Sequence, residues 1–262
     1  MHDEQAQGRR PRSDESRPAS RSDFDQAWRR RFVEFANGHE DDAGIAGWSR
    51  TGLEARFRYF RSAWRGAAPN ALYIDVGCGA GTYARWLDEQ GVRVVGVDYS
   101  ETALRKAMAR AAPAIAFCAA DATRLPFADA SVDGVLCLGV VQAIHASGPL
   151  VRELARVLGH RGILWIDGLN RDSITGRYDR ARRWLRDKPM HLRYESAPRL
   201  LDLVARAGFA NSRLDWLPLM PSRLRLLQAA FESRLARGML ASLPGLGSLV
   251  SHSFLIRAER RR

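Results

Sequence analysis

Residues 71–87 read ALYIDVGCGAGTYARWL: an apolar run ending in an acid, three glycines at 77, 79 and 81, then a helical pattern. Glycine inside an ordered element costs roughly 0.5–1 kcal/mol relative to alanine, so a turn that uses three of them needs bare backbone. An almost continuously apolar strand before such a turn is a strand covered on both faces, as in a parallel sheet. The pattern repeats downstream. VRVVGVDYS precedes helical ETALRKAMARAA, IAFCAADA follows, and DGVLCLGVV precedes helical PLVRELARVLGHRG and then ILWIDGL. Strands alternating with helices predict a parallel sheet with right-handed crossovers. In the helix of residues 149–158, Leu150, Leu154, Val157 and Leu158 share one face, and Gly159 and Gly162 are expected to stop it.

The remainder is organised around that block. Residues 1–23 mix five arginines with five acids and have no periodicity, the composition of a disordered tail. From Phe24 to Trp64 aromatics recur among arginines, which predicts two helices with apolar faces broken around NGHEDDAGIAG. After the block come an arginine-rich stretch (171–194), a helix SAPRLLDLVARAGF, a strand ANSRLDWLP, an amphipathic segment (219–250) and a closing strand SHSFLIRAER. The amphipathic segment carries Leu224, Leu227, Phe231 and Leu235 on one stripe.

The formal charge of +12 invites a nucleic-acid reading, but the excess is almost wholly arginine, with lysine only at 106 and 188. Cys78, Cys118 and Cys137 lie isolated in apolar runs, which suits a reducing compartment and builds neither a disulfide frame nor a zinc site. No stretch has the length of a membrane span, and the N-terminus lacks the apolar centre of a signal peptide, so a cytoplasmic protein is expected.

In a parallel sheet ligands gather at the carboxyl ends of strands, where the strand order reverses. A glycine turn leading into a helix there fits a dinucleotide or S-adenosylmethionine. The spacing separates the two, because a dinucleotide fingerprint needs glycine three residues after Gly79 and this chain has Thr82. Instead Asp75 stands two residues before Gly77, Asp98 ends the next strand and Asp121 the one after. Three acids at three strand ends match a cationic nucleoside better than a pyrophosphate.

On these residues the run from about Leu72 to Leu169 resembles the class I S-adenosylmethionine-dependent methyltransferases, in particular the small-molecule, quinone-type group. The resemblance implies a Rossmann-like, mostly parallel seven-stranded sheet with helices on both faces, the last strand antiparallel, and helical cap insertions. It implies one methyltransferase domain over residues 24–262. Within it lie an N-terminal helical cap (24–64), a cofactor-binding core (71–169) and a C-terminal part (170–262) with insertions at 171–194 and 219–250. Asp75, Gly77, Cys78, Gly79 and Gly81 of DVGCGAG would cradle the methionine part of the cofactor. Asp98 would take the ribose, with Tyr99 beside the adenine; Asp121 and the Ala122 backbone would address the adenine edge. Leu138 and Gly139 would line the methyl-transfer site. Cys78 is expected to pack in its turn, since transfer from a sulfonium needs no enzyme thiol.

Where many relatives carry a histidine pair, this chain has Gln142 and Ala143, with His145 slightly later, so no base is assigned. Arg56, Arg58 and Tyr59 lie where relatives often supply a group to the cofactor carboxylate. The acceptor is expected to be a small molecule methylated on oxygen or carbon, with an apolar and an anionic part met by the arginine-rich stretch and the 219–250 insertion. Nucleic acid is an unlikely acceptor: the Asn/Asp-Pro-Pro-aromatic and Pro-Cys signatures of base methylation are missing, and no basic aromatic platform is evident. A protein that binds the cofactor without catalysis stays open, as does peripheral contact with a membrane.

Overall fold

The computed structural model describes residues 21–186, 192–218 and 233–261. Most of the N-terminal tail, and the part of the 219–250 stripe that carries Leu224, Leu227 and Phe231, lie outside them. In chain order the described elements are α1 (Arg21–Gly38), α2 (Asp42–Ile45), α3 (Arg50–Ala63), β1 (Leu72–Val76), α4 (Thr82–Glu89), β2 (Arg93–Asp98), α5 (Glu101–Met108), β3 (Ala116–Ala119) and β4 (Val132–Cys137). A 3₁₀ turn (Val141–Ala143) leads to α6 (Ser147–Val157) and β5 (Leu158–Leu169). Then follow α7 (Ile174–Leu185), α8 (Ala197–Arg206), β6 (Phe209–Leu217), α9 (Arg234–Ser242), α10 (Pro244–Val250) and β7 (Ser253–Arg260).

The seven strands form one sheet in the order β3-β2-β1-β4-β5-β7-β6. The first five are parallel, and β7 runs antiparallel to both β5 and β6. The chain moves outward from β1 to β3 on one side and from β4 on the other, so the order reverses between β1 and β4. The crevice at that reversal lies beside the carboxyl ends of β1, β2 and β4, which is where the glycine turn falls.

Strand alternation fixes which residues meet which layer. Ile74 and Val76 of β1 join Val135, Cys137, Leu150, Leu154 and Leu200 in a core shared with α6 and α8. Tyr73 and Leu136 point the other way, into a layer built from Tyr59, Phe60, Tyr83, Trp86 and Trp165. There Phe60 stands edge-on to Trp165 at 5.2 Å and to Tyr83 and Trp86 at 5.5 Å. Edge-to-face aromatic packing of this kind adds about 0.5–1.5 kcal/mol per pair beyond area burial.

Two local expectations change. The first helix starts at Arg21, ahead of the Phe24 boundary. Gly159 and Gly162 do not end a helix: α6 stops at Val157 and the chain enters β5 at once, with Leu158 already extended. The glycines instead sit in an irregularity where Val132 pairs with Leu158 but Gly134 pairs with Ile163. A Cβ on Gly162 would lie 2.9 Å from the Gly159 carbonyl oxygen, so the bulge needs a bare residue there. Among the described residues no helix is long and apolar enough to cross a membrane.

Candidate functional site

The turn after β1 is held in shape by its own backbone. Gly77, Gly79 and Gly81 have φ of 74°, 53° and 79°, in the left-handed region that side chains other than glycine rarely adopt. The N–H groups of Gly77 and Cys78 donate to the Val97 carbonyl at 2.7 and 3.0 Å. A Cβ on Gly77 would come within 2.3 Å of Val140 Cγ2, whereas one on Gly81 would meet Ala107 and Phe117 at 3.4–3.5 Å. Gly77 therefore permits a close approach, and Gly81 serves chiefly to turn the chain into α4.

Above this turn lies a cavity of about 370 Å³, within the range typical of small-ligand pockets. Gly77, Cys78, Gly79, Asp98, Tyr99, Asp121, Ala122 and Leu138 all line it, together with Gly139. Asp75 and Gly81 do not. Asp75 shares a strand face with Tyr73 and so points at the α3/α4 layer, only 1% exposed, with one oxygen lacking a hydrogen-bond partner. Burial, and then the charge of Asp98, push its carboxyl up to about 7.

Asp98 accepts the Gly79 N–H at 2.8 Å on one oxygen and the Ser100 N–H at 2.8 Å on the other. Burial raises its pKa, opposed by these N–H groups. Burial works in the same direction on Asp121, but the hydroxyl and N–H of Thr123 and the Arg29 guanidinium outweigh it and hold that carboxyl below its usual value. Burial, with Asp98 and Asp75, pushes the Cys78 thiol well up, the opposite of what a nucleophile requires.

The roof comes from the N-terminal helices. From α1, Trp28, Arg29 and Phe32 face the cavity, and Trp48 closes it between α2 and α3. Arg29 pairs with Asp121 while its guanidinium lies 4.6 Å from the Tyr99 ring centroid. α2 is anchored to the turn by Asp42, which accepts the Thr82 hydroxyl at 2.6 Å and pairs with Arg85. Asp25 on α1 accepts the His145 N–H at 2.8 Å, and His145 lines the cavity wall.

Arg56, Arg58 and Tyr59 are absent from the lining. Arg56 is buried, donates through Nε to Asp167 at 3.0 Å and stacks 3.8 Å from the Trp48 ring centroid. Asp167 in turn accepts the Gly139 N–H at 2.7 Å. Arg58 lies 3.9 Å from Glu54 on the exposed side of α3, and Tyr59 is packed in the aromatic layer. The roof residues were the ones that sequence reading missed individually. Phe24, Trp28, Phe32 and Phe35 recur at helical spacing, a signal that marks a buried face without saying what it covers.

Among the described residues the carboxylates lining the cavity are Asp25, Asp42, Asp98 and Asp121 and the guanidinium lining it is Arg29, while Arg85 and Arg110 pair with Asp42 from outside the lining. In a chain of formal charge +12, this concavity is therefore acid-lined, and its floor of Val76, Leu138 and Val140 is apolar. Among the described residues no group of three His, Cys, Asp or Glu side chains could hold a metal ion.

Comparison with known proteins bears on the family and the fold. Residues 74–166 match a methyltransferase-domain family. A probable S-adenosylmethionine-dependent methyltransferase of Mycobacterium tuberculosis is 32% identical over 158 residues, covering 59% of this chain and 56% of the relative. A demethylmenaquinone methyltransferase of Beutenbergia cavernae is 41% identical over 92 residues, 35% of this chain and 38% of that protein. The chain thus matches 56% of the length of the first of these curated relatives and 38% of the second. A crystal structure from Thermotoga maritima, described as an S-adenosylmethionine-dependent methyltransferase and possible histamine N-methyltransferase, superposes with a TM-score of 0.61 over 89% of this chain and all of that one. At 20% identity that likeness speaks for the fold.

Proposed function

We propose, from the premise that residues 74–166 form a class I S-adenosylmethionine-dependent methyltransferase domain, that this protein transfers a methyl group to oxygen or carbon of a small-molecule acceptor. The observation that carries the reading is the acid-lined cavity on the glycine turn. A carboxylate-rich pocket repels a pyrophosphate and attracts a ligand bearing a sulfonium and an ammonium group. Its residues fit such a ligand. Backbone of Gly77–Gly79 would meet the methionine end, Asp98 the ribose hydroxyls, Tyr99 a face of the adenine, and Asp121 with Ala122 the adenine edge. When bound, S-adenosylmethionine supplies a methyl group already activated by positive sulfur.

The chain's task is then placement. Leu138 and Gly139 form the wall beside which the acceptor atom would sit, and Asp167 holds the Gly139 N–H so that this wall keeps its shape. Trp28, Phe32 and Trp48 cover the cavity and exclude water. Orientation of this kind is worth roughly 7–11 kcal/mol of barrier, so an obvious general base, which typically adds about 10²–10⁴-fold, is not required for turnover. The curated relatives that act on quinones support an acceptor with an apolar body.

Calorimetry with S-adenosylmethionine and its demethylated product tests the pocket. Incubating cell extract with labelled cofactor, followed by mass spectrometry, tests transfer. Saturable binding weakened by Asp98→Ala, with label on a small molecule, is expected. No binding by the folded chain would overturn the proposal. Label on nucleic acid would redirect it, and binding without label on any acceptor would favour a non-catalytic role.

A further inference from the structure

A second recess, of about 400 Å³, adjoins the cofactor cavity and shares His145 with it. Phe24, Tyr194 and three arginines, Arg171, Arg180 and Arg193, also line it. The three arginines are not equivalent. Arg193 is fully engaged: it donates to the Val141 carbonyl at 2.9 and 3.1 Å, to Glu195 at 2.9 Å and to the Ser147 hydroxyl at 2.5 Å. It is a structural strut that ties the recess to the loop below His145. The guanidinium groups of Arg171 and Arg180 have no hydrogen-bond or ion-pair partner among the described residues. The acid closest to them on α7, Asp179, is committed to the Tyr194 hydroxyl at 3.3 Å and to Arg183 at 3.4 Å.

Among the described residues Arg171 and Arg180 face one concavity with no direct ionic partner of their own, and an oxyanion between them would relieve their mutual repulsion. The backbone at Arg171 is firmly mounted. The Arg171 N–H donates to the Glu195 carbonyl at 2.9 Å, and the preceding Asn170 is fully buried, donating to the Ser248 and Ser251 carbonyls at 2.6 and 2.8 Å. The rings of Phe24 and Tyr194 give the same recess an aromatic side. The two adjoining chambers thus carry opposite charge, acidic over the glycine turn and basic beyond His145.

We propose that the basic recess is the acceptor subsite. Arg171 and Arg180 grip a carboxylate or phosphate of an aromatic or otherwise apolar acceptor, and its methyl-accepting atom reaches past His145 toward Leu138 and Gly139. This rests on the methyltransferase reading above and adds a substrate class: an anionic small molecule sorted from the cationic cofactor by charge.

The test uses the full chain, with and without saturating S-adenosylhomocysteine, titrated calorimetrically with phenyl phosphate, benzoate and neutral benzyl alcohol. Saturable binding of at least one anion and none of the alcohol is expected. The preferred anion tells a phosphate from a carboxylate acceptor. R171Q/R180Q should weaken that binding about tenfold or more, with S-adenosylhomocysteine affinity unchanged. The surface variant R177Q/R182Q on α7, the helix that carries Arg180, should leave both within about twofold. Failure of the wild type to bind either anion, or equal losses in the two double variants, overturns the proposal. Failure of S-adenosylhomocysteine to bind while the anion does would refute the methyltransferase reading instead and leave an oxyanion site.

Discussion

Substituting Arg56 by methionine should cost far more stability than any surface arginine. Arg56 and Asp167 are 4% and 2% exposed and lie 3.0 Å apart. R56M would leave a carboxylate buried under the aromatic layer with only the Gly139 N–H to stabilise it. Breaking a buried pair by removing one partner typically costs about 3–5 kcal/mol. At roughly 2–4 °C per kcal/mol for a chain of this size, the melting temperature should fall by roughly 6–20 °C. An exposed pair gives the contrast: Arg105 and Glu101 are 3.8 Å apart at 65% and 77% exposure, and R105Q should change stability by less than about 1 kcal/mol. The compensating variant is R56M/D167N, because asparagine removes the stranded charge yet keeps an oxygen to accept the Gly139 N–H. It should recover more than half of the loss, helped by the fact that both terminal nitrogens of Arg56 already lack partners. Thermal melts followed by circular dichroism decide the matter. If R56M melted within about 2 °C of the wild type, or if R56M/D167N melted lower still, the reasoning about this pair would be refuted.

Gly77→Ala forces a side chain onto φ of 74° and into Val140; about 1–2 kcal/mol is expected from the backbone alone, and G77A/V140A should regain only the overlap part in urea titrations. Asp75, with its folded pKa near 7 against an ordinary 3.8, keeps its proton in the native state over a range where the unfolded chain has lost it. Its contribution to stability is therefore lost as pH rises from about 4 to about 7, by a few kcal/mol. Urea midpoints of wild type and D75N across that range should diverge in the variant's favour as pH rises, and parallel curves would contradict the assignment. R29A should leave stability within about 1 kcal/mol, since the Arg29–Asp121 pair is 45% and 38% exposed. It should nonetheless speed both association and dissociation of S-adenosylhomocysteine in stopped-flow fluorescence, because the side chain bridges Tyr99 and Asp121 across the cavity mouth. Unchanged rates would mean that α1 does not gate entry.

The sheet was legible because its signals are local. Apolar runs at β1, β2 and β4 each mark a strand within a few residues, and so does the turn that Gly77 and Gly79 allow after β1. The α6–β5 junction was not, since Val157 and Leu158 continue one apolar pattern while the backbone changes from helical to extended between them. Gly159 and Gly162 look like a stop signal and turn out to serve a bulge.

Asp75 shows the finer limit. Its spacing to Gly77 puts it at the right strand end, but period-two alternation sends its side chain to the face of Tyr73 while Val76 reaches the cavity. Sequence position and strand face are separate facts, and only the second decides what a carboxylate touches. The same division governs the roof and the recess. Arg29 finds Asp121 across 92 positions and Arg56 finds Asp167 across 111. The Arg193 guanidinium is engaged, while that of Arg171, on the same arginine-rich stretch, has no hydrogen-bond or ion-pair partner among the described residues. A run of arginines looks uniform in sequence; among the described residues tertiary pairing sets Arg193 apart as a strut, a division that spacing along the chain does not encode.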